Sequence, residues 1–291
     1  MKVCHSDSAD VFANLALEDL LLDGADDFAP ILLLYVDKPC VVIGKNQVPW
    51  RECATVRLRA DGVPLARRIS GGGTVYHDEG NLNYSFIVPR NSYSQDEIFA
   101  TILRALDSLG IEAHAGANNG LFIGERKFSG TAFCYRRRHV LHHGTLLVST
   151  DLDKLRRYCA PALPQISTRA IASKPASVMN LSEVRTDLDA EILSDAILSE
   201  IPNEVLFVPD PAPIQKRASE LRAWEFLWGH SPAFEIQIGA ATLRIEHGHI
   251  AAAPFPELRG LPFDRGALRE KLPIIGKEAA DFFQSLEMLE F

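Results

Sequence analysis

A run of glycine and polar residues between positions 67 and 81 carries the densest set of side chains suited to chemistry. It reads Arg-Arg-Ile-Ser-Gly-Gly-Gly-Thr-Val-Tyr-His-Asp-Glu-Gly-Asn. Three consecutive glycines permit positive φ and close backbone approach, so their N–H groups could hold an anion while Arg67 and Arg68 supply positive charge. The spacing is neither that of a P-loop nor that of a dinucleotide fingerprint. A plain glycine turn is the alternative, and the arginine pair together with His77 favours the anion site.

A second group of candidates follows downstream. Residues 118–132 place Lys127 among asparagine, glycine and serine residues, and the pair His142-His143 opens an apolar run. A solvated surface lysine and two packed histidines are the alternatives to a catalytic role. Cys134 and His139 lie nearby, but the paired cysteine spacing of structural zinc sites is missing, so we predict no metal site built from these side chains. The sequence also has no Gly-x-Ser-x-Gly elbow for a serine nucleophile.

The periodicity of apolar residues indicates the elements that position these groups. Helical spacing with N-cap and glycine-stop signals predicts helices over 10–24, 96–109 and 187–201. Strands and helices mix without strict βαβ alternation, so we expect an α+β fold around a mixed or antiparallel sheet. Predicted strands lie at 31–36, 40–44, 82–88, 121–123, 130–135 and 144–148.

Four prolines between positions 202 and 213 predict a linker, because they do not fit within one regular element. We therefore expect a catalytic domain over 1–203 and a small α+β accessory domain over 214–291. A chain ending near Pro202 is expected to remain a soluble catalytic unit. The small domain is predicted to hold helices at 218–226, 266–272 and 277–289 and strands at 234–238, 241–246 and 249–252.

Composition excludes several classes of protein. Lys and Arg number 30 against 38 Asp and Glu, and the net charge of −8 gives no overall footprint for nucleic acid or an anionic membrane. No apolar run approaches the roughly 18 residues that a membrane span needs. Five scattered cysteines predict reduced thiols. We expect a cytoplasmic protein with neither nucleic acid nor membrane as partner.

Three motifs in order resemble one known family. They are Arg-Arg-x-Ser-Gly-Gly-Gly-x-Val-x-His-Asp-x-Gly-Asn at 67–81, Lys-x-Ser-Gly-Thr-Ala at 127–132 and His-His-Gly-Thr-Leu-Leu at 142–147. This order resembles the lipoate–protein ligase A family of the biotin/lipoate attachment superfamily. The resemblance implies a catalytic domain of the biotin/lipoate ligase type followed by a small C-terminal domain. It extends to segments 14–18, 41–50, 180–181 and 224–234, and so covers nearly the whole chain.

The resemblance also implies a two-step reaction. Lipoate, ATP and Mg²⁺ give lipoyl-AMP, and a lysine of an apo lipoyl carrier domain then takes the lipoyl group as an amide. Lys127 would lie at the reacting carboxyl and phosphate oxygens. The carrier is expected to be acidic around its lysine and to meet residues 136–138, which are three arginines. The substrate and adenylate site would comprise Arg68, Ser70, Gly71, Gly72, Gly73, Val75, His77, Asn81, Asn118, Asn119, Ala132 and His143.

The chain departs from the family pattern at one charged motif. Two other functions therefore remain as alternatives. Gly-Arg-Asn-Asp of the family is Gly-Ala-Asn-Asn at 116–119, and Asn119 cannot offer Mg²⁺ the full charge of a carboxylate. An ATP-independent octanoyl or lipoyl transferase is the first alternative, although residues 111–126 contain no cysteine to carry an acyl group. A non-catalytic acyl- or adenylate-binding protein is the second.

Overall fold

Apolar runs of the chain form three β-sheets in the computed structural model, which describes residues 1–24, 29–202, 205–207, 209–271, 275, 280–289 and 291. The largest sheet has eight strands in the order β12-β1-β2-β6-β10-β9-β8-β7, and a three-stranded sheet has the order β4-β3-β5. The third sheet has four strands in the order β11-β13-β14-β15. Parallel and antiparallel pairs occur together, which confirms the α+β prediction.

The strands and helices have the following bounds. The strands are β1 Lys2–His5, β2 Ile31–Tyr35, β3 Cys40–Ile43, β4 Leu65–Arg67, β5 Val75–His77, β6 Asn81–Pro89, β7 His114–Gly116, β8 Gly120–Ile123, β9 Arg126–Tyr135, β10 His139–Leu147, β11 Ser167–Thr168, β12 Val205–Leu206, β13 Phe234–Ile238, β14 Ala241–Glu246 and β15 His249–Ala252. The helices are α1 Val11–Gly24, α2 Pro49–Glu52, α3 Thr55–Ala60, α4 Gln95–Ser108, α5 Leu152–Tyr158, α6 Ala190–Ser199, α7 Pro211–Arg222, α8 Trp224–Leu227, α9 Arg265–Arg269 and α10 Ala280–Glu287.

The large sheet is covered on both faces, so every residue of its central strands β2 and β6 is buried. Successive side chains of a strand point to opposite faces. Leu32 and Leu34 of β2 pack in the cluster that holds α4 and α6. Ile31 and Leu33 lie in the clusters that hold α1. The face of the large sheet toward α1 is the one on which the functional residues gather.

Strands β2 and β3 enter different sheets, although a tight turn at Lys38-Pro39 joins them. Strand β2 lies between β1 and β6 in the large sheet, whereas β3 lies between β4 and β5 in the small one. Strand β1 was not predicted, because four residues at the N-terminus give too short a pattern. The crossing of the chain between sheets leaves a space between them.

The proline-rich segment contains a helix, which corrects the linker prediction. Helix α7 begins at Pro211, and Asp210 caps it by accepting from the Ala212 N–H. Prolines are tolerated in a first helical turn because the N–H groups there have no intrahelical acceptor. Residues Ala218 and Leu221 of α7 pack against α1 in one buried cluster.

The last third of the chain shares its core with earlier residues. Trp50 is buried against Trp228, Phe234 and Phe263, with ring centroids 4.7, 5.4 and 5.2 Å away. The Arg67 guanidinium donates to the Leu227 carbonyl at 2.8 Å and to Ser231 Oγ at 2.9 Å. The division into 1–203 and 214–291 stays a prediction, and this packing argues against independent folding of the first part.

Two remaining expectations concern the C-terminal helices and the membrane. Helices α9 and α10 lie within two of the predicted helices, while positions 272 and 277–279 of those predictions fall outside the described residues. Across the described ranges, every helix is too short or too polar to span a bilayer.

Candidate acyl-transfer site

A cavity of about 330 Å³ lies between the large sheet and the small sheet. This volume is in the range of small-molecule sites. Strands β6, β9 and β10 supply its floor, and β3, β5 and the glycine run face them. The predicted site residues that line the cavity are Arg68, Gly72, Gly73, Val75, His77, Asn118, Asn119, Lys127, Ala132 and His143.

Three predicted residues lie behind this lining. Ser70 is buried and contacts His143, while the Gly71 carbonyl accepts from Arg68. Asn81 donates from Nδ2 to Oδ1 of Asn83, at 3.0 Å. These three residues therefore hold residues of the lining in place by hydrogen bonds.

Sequence reasoning missed a second set of lining residues, because the register of the sheets decides which side chains meet. An asparagine and a serine at alternate positions of a fully buried strand, β6, were the available signal. The missed residues are Leu15, Tyr35, Val42, Thr74, Asn83, Gly130, Thr131, Gly144, Thr145, Ile171, Ala172, Ser173 and Lys174.

The glycine run is held in shape by Arg68. This guanidinium donates to the carbonyls of Gly71 and Gly73 at 2.7 and 2.6 Å and to Ser70 Oγ at 3.0 Å. Burial lowers the pKa of Arg68 to about 10. Its bonds to the loop are made within the protein, so Arg68 organises the loop and adds a fixed positive charge beside the cavity.

Gly72 and Gly71 form a matched pair for testing this loop. Gly72 has φ of +87° and an added Cβ would lie 2.8 Å from Arg68 Nη2, whereas a Cβ at Gly71 would meet nothing within 4 Å. We expect Gly72→Ala to weaken binding of lipoyl-AMP at least about tenfold, and Gly71→Ala to leave it unchanged. Titration calorimetry on both folded variants measures this, and equal affinities would make Gly72 a simple turn residue.

Lys127 lies at the start of β9 rather than in a loop. Its backbone N–H donates to the Ser177 carbonyl at 2.8 Å, and its carbonyl accepts from Met179 N–H at 3.0 Å. The side chain passes the glycine at 120, where an added Cβ would come 2.8 Å from Lys127 Cε. Burial lowers the pKa of Lys127. A half-buried ammonium group therefore faces the cavity from a rigid strand.

Asn118 and Asn119 do not form a magnesium site with the residues described. Oδ1 of Asn118 accepts from Lys174 Nζ at 3.2 Å, and Oδ1 of Asn119 accepts from Gln95 Nε2 at 3.2 Å. No aspartate or glutamate is among the described residues that line the cavity. Mg²⁺ prefers carboxylate oxygens, so this donor set does not fit the ion.

His143 is the centre of a buried hydrogen-bond chain. Its Nδ1 lies 2.9 Å from Oε1 of Glu18, and its Nε2 lies 2.6 Å from Ser70 Oγ. Burial raises the pKa of Glu18, but the His143 charge and the hydrogen bonds outweigh burial and lower it overall. Glu18 also accepts from Tyr35 and Ser85. These hydrogen bonds fix the His143 ring at the wall of the cavity.

His142 points away from the cavity into an aromatic cluster. Its ring centroid lies 4.8 Å from that of Phe133 and 5.4 Å from that of Phe99. Burial is the main cause that lowers its pKa to about 3, well below the usual pKa of an imidazole. The two adjacent histidines thus have different roles, because successive side chains of a strand point to opposite faces of the sheet.

The His142 environment predicts a loss of stability in acid. The unfolded chain binds a proton at His142 below pH 6.5 while the folded protein does not, so stability falls as pH drops from about 6.5 toward 3. Between pH 6.5 and 5 the loss from this group is about 2 kcal/mol. Urea unfolding across this pH range gives the free energy of unfolding of the protein and of His142→Gln. We expect the free energy of the unmodified protein to fall more steeply with decreasing pH. The same dependence on pH in both proteins would contradict the lowered pKa of His142.

The arginines at 136–138 lie far from Lys127 along the same strand. They follow the end of β9, nine residues from Lys127 (136 − 127), which corresponds to about 30 Å in a strand. Arg136 pairs with Asp19 and Asp23. These arginines are near Lys127 in sequence but not along the strand in space, and the predicted contact with the carrier stays a prediction.

Fold and cavity together define an enzyme of the lipoate ligase and transferase class. The protein-family model described as "Lipoyl protein ligase A/B catalytic domain" matches residues 10–202 of the sequence. The chain therefore belongs to this lipoate–protein ligase family, as the resemblance predicted, and it has the biotin/lipoate ligase fold.

Two relatives and two solved structures illustrate the similarity. Lipoate-protein ligase A of Psychrobacter cryohalolentis is 34% identical over 80% of this chain and 74% of its own length. Mitochondrial lipoyl amidotransferase LIPT1 of Homo sapiens is 34% identical over 98% of this chain and 78% of its own. P. falciparum LipL1 in complex with lipoate has a TM-score of 0.69 at 23% identity, covering 98% of this chain and all of that one. Lipoate-protein ligase A bound with ATP has a TM-score of 0.59 at 25% identity, covering 76% and 91%.

Proposed function

We propose that this protein is an ATP-dependent lipoate–protein ligase, which forms lipoyl-AMP and transfers the lipoyl group to a lysine of a lipoyl carrier domain. The observation that carries the proposal is the position of Lys127. Its ammonium group faces the cavity together with the Gly72 loop and the fixed charge of Arg68. The ATP bound to one structural relative and the lipoate bound to another support the two substrates.

Both steps develop negative charge in this cavity. Lipoate attacks the α-phosphorus of ATP in the first step, and pyrophosphate leaves. Fixed donors and cations in a dry pocket stabilise such charge, and each contributes about 2.7–4 kcal/mol to lowering a barrier. Lys127 is placed to neutralise the carboxyl and phosphate oxygens, since it is the only lysine of the floor strands among the described lining residues.

The cavity favours an acyl group activated as a non-covalently bound adenylate over one carried on cysteine. No cysteine is among the described residues that line it. Cys134 and Cys40 each lie two residues from a lining residue, and each packs in an apolar cluster. Burial is the main cause that raises the pKa of both thiols. A thiol nucleophile needs the opposite shift, so the acyl-cysteine route has no candidate residue there.

A lipoyl amidotransferase is the second candidate, because the human relative of that name matches 98% of this chain. The lack of carboxylates around the cavity also favours it, since a transferase that uses an acylated donor needs no Mg²⁺. Such an enzyme would move the lipoyl group from the amide of one carrier to the lysine of another.

One experiment separates these functions. The protein is incubated with an apo lipoyl domain and either lipoate with ATP and Mg²⁺, or a lipoylated carrier without ATP, and the mass of the apo domain is followed. We expect lipoylation in the first arm with release of AMP. Lipoylation in the second arm alone would make the protein an amidotransferase. No product in either arm would favour the non-catalytic alternative.

A further inference from the structure

Two buried polar atoms on opposite walls of the cavity have no hydrogen-bond partner among the residues that the structure describes. They are Nε2 of His77 and Nδ2 of Asn83, and both residues line the cavity. A buried polar group without a hydrogen bond costs about 1–3 kcal/mol. Such atoms in a ligand cavity indicate a ligand that completes their bonding.

Each of these atoms is aimed by a neighbouring side chain. Nδ2 of Asn81 donates to Oδ1 of Asn83, which turns the Asn83 amide nitrogen outward as a donor. Oδ2 of Asp37 lies 2.8 Å from Nδ1 of His77, and Oδ1 of Asp37 accepts from Asn14 Nδ2 at 2.7 Å. A carboxylate at Nδ1 holds the proton there, so the neutral ring presents Nε2 as an acceptor.

Asn83 lies in one row with the end of Lys127. Tyr35, Asn83 and Thr145 are directly opposite one another on β2, β6 and β10. Thr145 is next to Gly130 on β9, where an added Cβ would come 3.4 Å from Lys127 Nζ. Asn83 and Gly130 are therefore two strand spacings apart, about 10 Å. A carboxyl-derived group bound beside Lys127 would therefore lie over β10, between β6 and β9.

Resting on the proposed acyl transfer, we infer that Asn83 and His77 are the oxyanion donor and the proton acceptor of amide bond formation. The lysine amine of the carrier attacks the lipoyl carbonyl, and the new C–N bond forms as negative charge develops on the carbonyl oxygen. Asn83 Nδ2–H donates to that oxygen, and His77 Nε2 takes the proton that the nitrogen loses. The C–O bond to phosphate breaks and AMP leaves with the electron pair. Asn81 and Asp37 are positioning residues for these two groups.

Variants that keep shape and remove one function test the assignment. Asn83→Asp keeps an acceptor for Asn81 but lacks the donor, and Asp37→Asn keeps an acceptor for His77 but lacks the charge. We expect each to slow single-turnover transfer from preformed lipoyl-AMP by about 10² or more, with unchanged affinity for lipoyl-AMP. Asn91→Asp, in the exposed turn that follows β6, is the control and retains the full rate. If affinity and rate fell in proportion, Asn83 would be a binding residue only and the inference would be overturned.

A measurement that needs no activity tests the His77 arm. Nitrogen NMR of the ligand-free protein, assigned with His77→Gln, reports which ring nitrogen carries the proton. We expect Nδ1–H for the neutral ring, and loss of that preference in Asp37→Asn. Protonation at Nε2 in the unmodified protein would overturn the acceptor role. If the protein transferred no lipoyl group from any donor while His77 showed Nδ1–H, the proposed function would fail and the geometry would stand.

Discussion

Replacing Lys127 with alanine is expected to slow both lipoyl-AMP formation and lipoyl transfer by about 10² or more while the protein stays folded. The side chain supplies the ammonium group of the cavity floor, and removing one preorganised stabiliser of developing charge costs about 10²–10³ in rate. The strand itself is held by backbone bonds to Ser177 and Met179, which alanine retains. Single-turnover assays of each half-reaction measure the loss.

Two controls make the Lys127 result specific. Lys216→Ala removes an exposed lysine of α7 and is expected to change neither rate. Lys127→Arg keeps a positive charge but brings a bulkier group past the glycine at 120, so only partial recovery is expected. Turnover of Lys127→Ala close to that of the unmodified protein would contradict the assignment of this cavity as the reaction site.

Truncation after Pro202 is expected to abolish cooperative folding, in contrast to the soluble unit predicted from the proline pattern. The cut leaves the buried Arg67 guanidinium without Leu227 and Ser231, and breaking a buried charged interaction costs about 3–5 kcal/mol. It also uncovers Trp50, whose aromatic partners all lie beyond the cut. Loss of contacts to a buried tryptophan costs a further 3–5 kcal/mol or so. The sum is comparable with the whole stability of a domain, about 5–15 kcal/mol.

Thermal unfolding by circular dichroism compares the truncated and full-length chains. Arg67→Met in the full-length chain is the matched variant, since it removes the buried charge and keeps the C-terminal residues. We expect it to lower the unfolding temperature but to retain one cooperative transition. A truncated chain that unfolds cooperatively at the temperature of the full protein would show that the first 202 residues form an independent domain.

The sequence predicted the parts of the molecule that depend on local pattern. Helix α1 was predicted from Asp10 and the apolar spacing that follows, and α4 from its periodicity and Gly110. The glycine run and Lys127 were found because several chemically suited residues stand together in sequence. Local patterns therefore located two walls of the cavity.

The predictions that failed, or were not made, concern residues that the pairing of strands brings together or keeps apart. Tyr35, Asn83 and Thr145 are separated by many residues and meet only through the register of three strands. The arginines at 136–138 are near Lys127 in sequence, but β9 separates them from it and they do not line the cavity. The helix predicted over 218–226 covers only the last five residues of α7. The first part of α7 was missed because Pro211 was interpreted as a breaker, although a proline is compatible with a first helical turn.

Lipoate-dependent exchange of labelled pyrophosphate into ATP tests the central claim most directly, because it isolates formation of lipoyl-AMP from transfer. The carrier domain is left out, and the exchange rate is measured with and without lipoate, and again for Lys127→Ala. We predict exchange that requires lipoate and falls about 10²-fold or more in the variant. Absence of exchange in the unmodified protein, together with transfer of lipoyl groups from an acylated carrier, would contradict the account of this cavity as an ATP-dependent ligase site.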